Sequence, residues 1–209
     1  NVPNDIKGIP KPIVFFMGAI SGWVDFDLID YIISERPNYS YVFVGPSFTN
    51  NLLPKKENMY FLGKKNYTEL PGYIRQAKVG IIPFRVNRLT AAVTPLKFFE
   101  YLSAGLPTVT TMMPDLINIP GSSIASNYYD FLAKIDGYMN MGEEEYNLVS
   151  KDAMNSSINY RWDYLVDRFI QYVNDCRCGD KIQSKRDFVI QTIEHYNKNN
   201  NEKNHIVEN

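Results

Sequence analysis

The sequence predicts an α/β protein: a doubly wound parallel sheet of about six strands with helices on both faces. Three observations carry this expectation. Short runs of apolar and β-branched residues recur at positions 13–17, 41–44, 59–62, 79–84, 108–110 and 123–125. Stretches of helical pattern separate most of them, as parallel strands require, because each crossover must carry the chain back to the same edge. Glycine and proline mark the junctions, at Gly18, Gly45-Pro46, Gly63, Gly105 and Pro107.

Size and composition bound the answer. A chain of 209 residues with 44% apolar content fits one domain, or one domain with an appendage. The division expected is a linker over 1–11, one Rossmann-like α/β domain over 12–178, an extra helix over 179–196 and a disordered tail over 197–209. The net charge of −1 gives no electrostatic reason to expect nucleic acid or an anionic membrane as a partner. Cys176 and Cys178 lie too close in sequence to face one another on a helix, so a reducing compartment, the cytoplasm, is the simplest setting. No apolar run has the length of a membrane span, and no signal peptide opens the chain.

The elements follow in order. Asn1 to Pro10 is polar, with two prolines and a glycine, and reads as a linker into the first strand. Residues 13–17 are wholly apolar, which suits a strand buried on both faces. The loop from Gly18 to Gly22 lacks the G-x-G-x-x-G pattern, which disfavours a nicotinamide cofactor. Asp25-Phe26-Asp27 has the D-x-D spacing of some metal sites. It also opens an amphipathic stretch with Leu28, Ile29, Ile32 and Ile33 on one face, and helix capping is the better reading. Strands at 41–44 and 59–62 are followed by a helix over 68–77. The fourth strand, at 79–84, leads into a loop with Arg85, Asn87, Arg88 and Thr90.

The stretch from Thr94 to Pro107 reads as one short helix with its punctuation in place. Thr94 suits the N-cap, Pro95 the first helical position, and Gly105 the left-handed residue past the end. Lying between two strands, its N-terminus falls at a strand's carboxyl edge, where ligands bind in open α/β sheets. Free N–H groups and partial positive charge there suit a phosphate. Lys97 adds a full charge, and Glu100, on the same face, could accept ribose hydroxyls. A solvated Lys–Glu pair is the plainer alternative.

Beyond it, Pro114, Asp115 and Pro120 mark loops, and residues 123–125 make the last strand. Helical patterns follow over 128–139 and 143–159, then from Trp162 through Leu165, Phe169 and Tyr172, and again over 182–196. Both histidines, His195 and His205, fall in the appendage, so the core holds no histidine for a hydrolytic triad or a metal cluster.

The run from Thr94 to Val109 resembles the donor-binding signature of GT-B glycosyltransferases, and within them the large bacterial family of retaining, group 1 (family 4-like) enzymes. The resemblance extends from about Pro12 to about Phe169. It takes in Gly18-Ala19-Ile20, Val44-Gly45-Pro46, the stretches 58–63, 67–74 and 77–84, and Tyr160-Arg161-Trp162-Asp163. It implies the Rossmann-like carboxyl-terminal half of a two-domain enzyme. The donor would be a nucleotide-diphosphate sugar, most commonly a UDP-sugar, with no metal and no resident cofactor. Lys97 would neutralise the diphosphate, Glu100 would bind the ribose, and Thr94, Pro95 and Leu96 would present the helix end. Gly18 would approach the diphosphate through its backbone, Lys65 and Tyr67 would lie on the base side, and Arg88 would meet phosphate or sugar.

The resemblance also implies a missing amino-terminal acceptor-binding half, and with it an isolated chain without turnover. The setting it implies is exopolysaccharide or cell-wall polymer synthesis in the bacterial cytoplasm, with peripheral membrane association through the missing half. One position departs from the pattern: Val93 stands seven positions before Glu100, where the family often has an acid in contact with the sugar. That departure keeps an alternative open, a non-catalytic nucleotide-binding or scaffold module.

Overall fold

The computed structural model describes residues 2–48 and 54–175. Both cysteines, both histidines, the helix expected over 182–196 and the tail lie outside the described residues. Six strands form one sheet: β1 (Ile13–Met17), β2 (Ser40–Val44), β3 (Met59–Gly63), β4 (Val79–Ile82), β5 (Thr108–Thr110) and β6 (Ser122–Ile124). Every pairing is parallel, in the order β3-β2-β1-β4-β5-β6. The chain therefore winds outward from β1 to β3, returns to the middle, and winds outward again. The reversal lies between β1 and β4, and a crevice opens there at the carboxyl ends.

Seven helices are described: α1 (Phe26–Glu35), α2 (Leu70–Ile74), α3 (Arg88–Ala91), α4 (Leu96–Ser103), α5 (Tyr128–Asn140), α6 (Glu143–Ser157) and α7 (Trp162–Asp175). α1 packs beside α5, and α4 beside α6. The apolar runs bury as expected: β1, β2 and β4 are buried throughout, with Phe15 and Phe16 fully enclosed. α1 turns Leu28, Ile29, Ile32 and Ile33 into this core.

Asp25 caps α1, accepting from the Leu28 N–H at 3.1 Å, and both its oxygens accept from the Tyr128 hydroxyl at 2.9 Å. Its carboxylate is thus committed to holding α1 against α5. At the other end of α1, Arg36 pairs with Asp136 at 2.5 Å, and the Tyr39 hydroxyl donates to the same carboxylate at 3.0 Å.

Four local details differ from expectation. The helix over 68–77 is a 3-10 turn, Tyr67–Glu69, followed by the short α2; Pro71 and Gly72 are poor helix formers. β4 stops at Ile82, before Pro83, which has no N–H for a ladder. The loop over 85–93 contains α3, capped by the Asn87 side chain on the Leu89 and Thr90 N–H groups. Residues 2–10 do more than link: Ile6 and Ile9 are buried in the core, and Asp5 binds Lys65 at 2.6 Å and the Tyr73 hydroxyl at 2.7 Å.

Thr94 is not the cap of α4. Pro95 is extended, at φ −72° and ψ 119°, and takes the N-cap position itself, so the helix begins at Leu96. A capping side chain must reach the N–H two or three residues on, and Thr94 stands one residue too early. Its hydroxyl donates instead to Asp115 Oδ2 at 2.6 Å. The far end of α4 is as expected. Gly105 has φ 69°, its N–H bonds the Leu102 carbonyl at 2.9 Å, and the Leu106 N–H bonds that of Tyr101 at 2.9 Å. This pair of bonds is a Schellman ending.

Candidate functional site

Three glycines close the carboxyl ends of adjacent strands. Gly18 after β1, Gly45 after β2 and Gly63 in β3 have φ values of 145°, 144° and 70°, a region that side chains rarely adopt. They are stitched together: the Gly18 N–H donates to the Val44 carbonyl at 2.8 Å, and the Gly45 N–H to that of Gly63 at 2.9 Å. A methyl group on Gly45 would collide with the Gly18 carbonyl, and one on Gly18 with the Lys97 ammonium. Bare backbone is therefore required where Lys97 crosses it.

Lys97, in the first turn of α4, lays its Nζ between two rings, 4.7 Å from the centroids of both Phe16 and Phe84. Cation–π attraction supports it there, yet among the described residues no side-chain or backbone oxygen hydrogen-bonds it. Burial pushes the ammonium down to about 8, against the opposing pull of the Glu100 carboxylate. The charge is held at a cost, and an anion would relieve it. The N–H groups of Leu96 and Lys97 precede the first hydrogen-bonded turn and point the same way.

Glu100 does not stay beside Lys97 as a mere surface partner. It lines a cavity of about 420 Å³ between α2 and α4, together with Met17, Tyr67, Ile74, Arg75 and Met154. That volume falls within the roughly 300–1,000 Å³ usual for small-molecule sites. Tyr101, one residue on and fully buried, accepts the Met17 N–H on its hydroxyl at 2.6 Å. The bond fixes α4 to the end of β1, between the ammonium and the cavity. Burial raises the Tyr101 phenol far above its ordinary value, so it stays neutral.

The structure thus brings together Gly18, Lys97, Glu100, Tyr67 and the start of α4. Pro95 is buried at that start, and Leu96 is exposed. Lys65 stands apart from this group, engaged with Asp5, whose hydrogen bond raises its pKa. Arg88 is exposed in the first turn of α3. Sequence reasoning did not single out Phe16, Phe84, Gly45 or the α2 wall of the cavity as parts of the site. Gly45, before a proline at a strand end, carried a local signal; the others depend on contacts across the fold. Among the described residues no group of three or more His, Cys, Asp or Glu side chains is placed to hold a metal. No described helix is long and apolar enough to cross a membrane.

Residues 11–136 match the family described as group 1 glycosyl transferases. A protein of Bacillus subtilis (strain 168) described as the teichuronic acid biosynthesis glycosyltransferase TuaH is 26% identical over 178 residues. That alignment takes in 80% of this chain and 44% of the relative. Among solved structures, sucrose-phosphate synthase from Thermosynechococcus elongatus superposes with a TM-score of 0.64 at 13% identity, covering 79% of this chain and 45% of its own. Anabaena HepE, solved with UDP and glucose, superposes with a TM-score of 0.59 at 13% identity, covering 83% and 53%. At that identity the structures speak for the fold alone, the Rossmann-like α/β fold of a GT-B domain. The chain spans about half the length of these relatives or less. With more than half of its residues inside the match, and a fold and carboxyl-edge site to go with it, this chain belongs to the group 1 glycosyltransferases.

Proposed function

We propose that this chain is the donor-binding half of a retaining glycosyltransferase that uses a nucleoside-diphosphate sugar, with UDP the first candidate. The observation that carries the proposal is the Lys97 ammonium, half-buried between two rings over the Gly18 backbone and without a hydrogen-bonded acceptor among the described residues. Beside it lies the cavity that Glu100 lines. A diphosphate at the start of α4 would meet Lys97 and two free N–H groups, and Glu100 would accept the ribose hydroxyls. As the bond to the sugar breaks, negative charge grows on the leaving diphosphate. A cation and a helix end aimed at that charge stabilise it without rearrangement. Retention enters through the resemblance of the Thr94–Val109 run to the retaining family.

TuaH is described as a teichuronic acid biosynthesis enzyme, and HepE was solved with UDP and glucose. The first supports a setting in cell-surface polysaccharide synthesis and the second a UDP-sugar donor; the reading adds an acceptor-binding half that completes the site at the cytoplasmic side of the membrane. No metal or resident cofactor is part of this reading.

Calorimetric titration of the full chain with UDP and GDP tests the site. Lys97→Ala and Glu100→Ala should each weaken binding of the preferred nucleotide about 10- to 100-fold, the range for losing one bond to a charged group. Unchanged affinity in both variants rejects the assignment. A non-catalytic module remains a second reading because Val93, 40% exposed, is apolar where the family often carries an acid. Saturable sugar transfer by the full-length enzyme would exclude it.

A further inference from the structure

Beyond β5 a carboxylate stands beside the start of α4. Asp115 belongs to the 3-10 turn Pro114–Leu116 that follows β5, and it is half-buried. Its Oδ2 accepts the Thr94 hydroxyl hydrogen at 2.6 Å. Thr94 directly precedes Pro95, the N-cap of α4. The carboxylate is therefore fastened beside the helix end that would face the diphosphate.

The order of strands says which part of a donor it would meet. Along the carboxyl edge the order is β3-β2-β1-β4-β5. Tyr67, after β3, and Met17, at the end of β1, line the cavity on one side. Gly18 and Lys97 stand in the middle, where β1 and β4 adjoin. Asp115 follows β5, on the other side. A nucleoside-diphosphate sugar is linear: base, ribose, two phosphates, sugar. With the nucleoside in the cavity and the phosphates at Gly18 and α4, the sugar emerges over β4 and β5. A sugar presents hydroxyl donors, and an ionised carboxylate is an acceptor with two oxygens and several lone pairs. Bonds to such an acceptor are stronger than neutral ones. The Thr94 bond fixes its orientation in advance, as a selective contact requires. Facing the phosphates, the same charge would repel them, so electrostatics also puts it on the sugar side.

We propose that Asp115, held by Thr94, accepts hydroxyl hydrogen bonds from the transferred sugar and so sets which sugar the donor site prefers. The proposal rests on the donor-site reading above, and the experiment separates the two. The full chain is titrated with UDP and GDP, and with UDP-glucose, UDP-galactose, UDP-glucuronate and GDP-mannose. Wild type, Asp115→Asn and Lys97→Ala are compared. Asparagine keeps an acceptor for Thr94 and should keep the turn folded, which a melting curve checks; Thr94→Val serves as a second variant that leaves the carboxylate in place but untethered.

The expected result is a wild-type preference among the sugars that falls about tenfold in Asp115→Asn, the loss of one bond to a charged acceptor. Affinity for the bare nucleoside diphosphate should stay unchanged, and Thr94→Val should lose part of the preference. An unchanged preference in Asp115→Asn, with nucleotide binding still dependent on Lys97, overturns the role of Asp115 and leaves the donor site standing. Equal affinity of the wild type for every sugar tested overturns it too. Absence of nucleotide binding, or binding indifferent to Lys97→Ala, overturns both.

Discussion

Lys97 is where a single residue carries the most consequence. In the folded chain it titrates at about 8 against an ordinary value of 10.5. Between those values the unfolded chain binds the extra proton, so stability rises as pH rises through that window. Below pH 8 the fold holds a charge it would be more stable without. Lys97→Met should therefore melt above the wild type at pH 7 by about 3 °C, corresponding to roughly 1 kcal/mol once solvent screening is allowed for. The advantage should fade as pH approaches 10.5, and scanning calorimetry at pH 7 and 10 checks it. Nucleotide affinity should move the other way, falling as pH passes 8 and the ammonium loses its proton. A flat affinity from pH 7 to 9 would mean that Lys97 does not meet the diphosphate. The pairing of Lys97 with Glu100 was legible from spacing on one helix face. The ring pair around Lys97 was not, because Phe16 and Phe84 reach it from β1 and from the residues after β4. The Thr94–Asp115 bond was hidden for the same reason, and only a helix starting one residue later than expected sets Thr94 free to make it.

At the scale of elements, the glycine-closed strand ends decide how much change the site tolerates. Gly45→Ala puts a methyl group into the Gly18 carbonyl at a φ of 144°. Both faults act on backbone, which has no rotamer to yield. The substitution should cost about 3 kcal/mol, read as a lower urea midpoint with an unchanged slope, and should also weaken nucleotide binding by displacing Gly18. If Gly45→Ala unfolds at the wild-type midpoint, the stacked arrangement is wrong. β1, β2 and β4 were legible because parallel strands buried on both faces read as apolar runs; β3, β5 and β6, partly buried or partly polar, were legible from their place between turn residues and helical patterns. The closing Gly105 and Pro107 of α4 were legible for a local reason, since left-handed conformation and a missing N–H are properties of the residues themselves. α2 and α3 were less so: they are short, and capping and packing rather than periodicity set their length. Tyr101 and Met17, whose bond joins residues 84 positions apart, mark the limit of reading along the chain.

For the molecule as a whole, the opening residues act as a strap. Ile6 and Ile9 fill the core, and Asp5 ties the segment to Lys65 and Tyr73 near the cavity wall. A chain starting at Lys11 should lose about 3 kcal/mol, the burial of two aliphatic side chains. Thermal denaturation of the two lengths checks this, and equal melting temperatures would show that the strap is dispensable. At the other end of the described chain, α7 leaves Trp162, Phe169 and Ile170 exposed, at 71%, 68% and 52%. Between these ends the crevice presents an ammonium that no oxygen of the described residues hydrogen-bonds. In a working enzyme such a charge does not distinguish a fresh donor from the spent nucleoside diphosphate, which offers the same phosphates with one more negative charge. The grip that eases bond cleavage then also slows departure, and the product competes with the next donor. With the donor site as proposed, flux through the whole enzyme would depend on how quickly the by-product is cleared, a traffic problem rooted in one lysine between two rings.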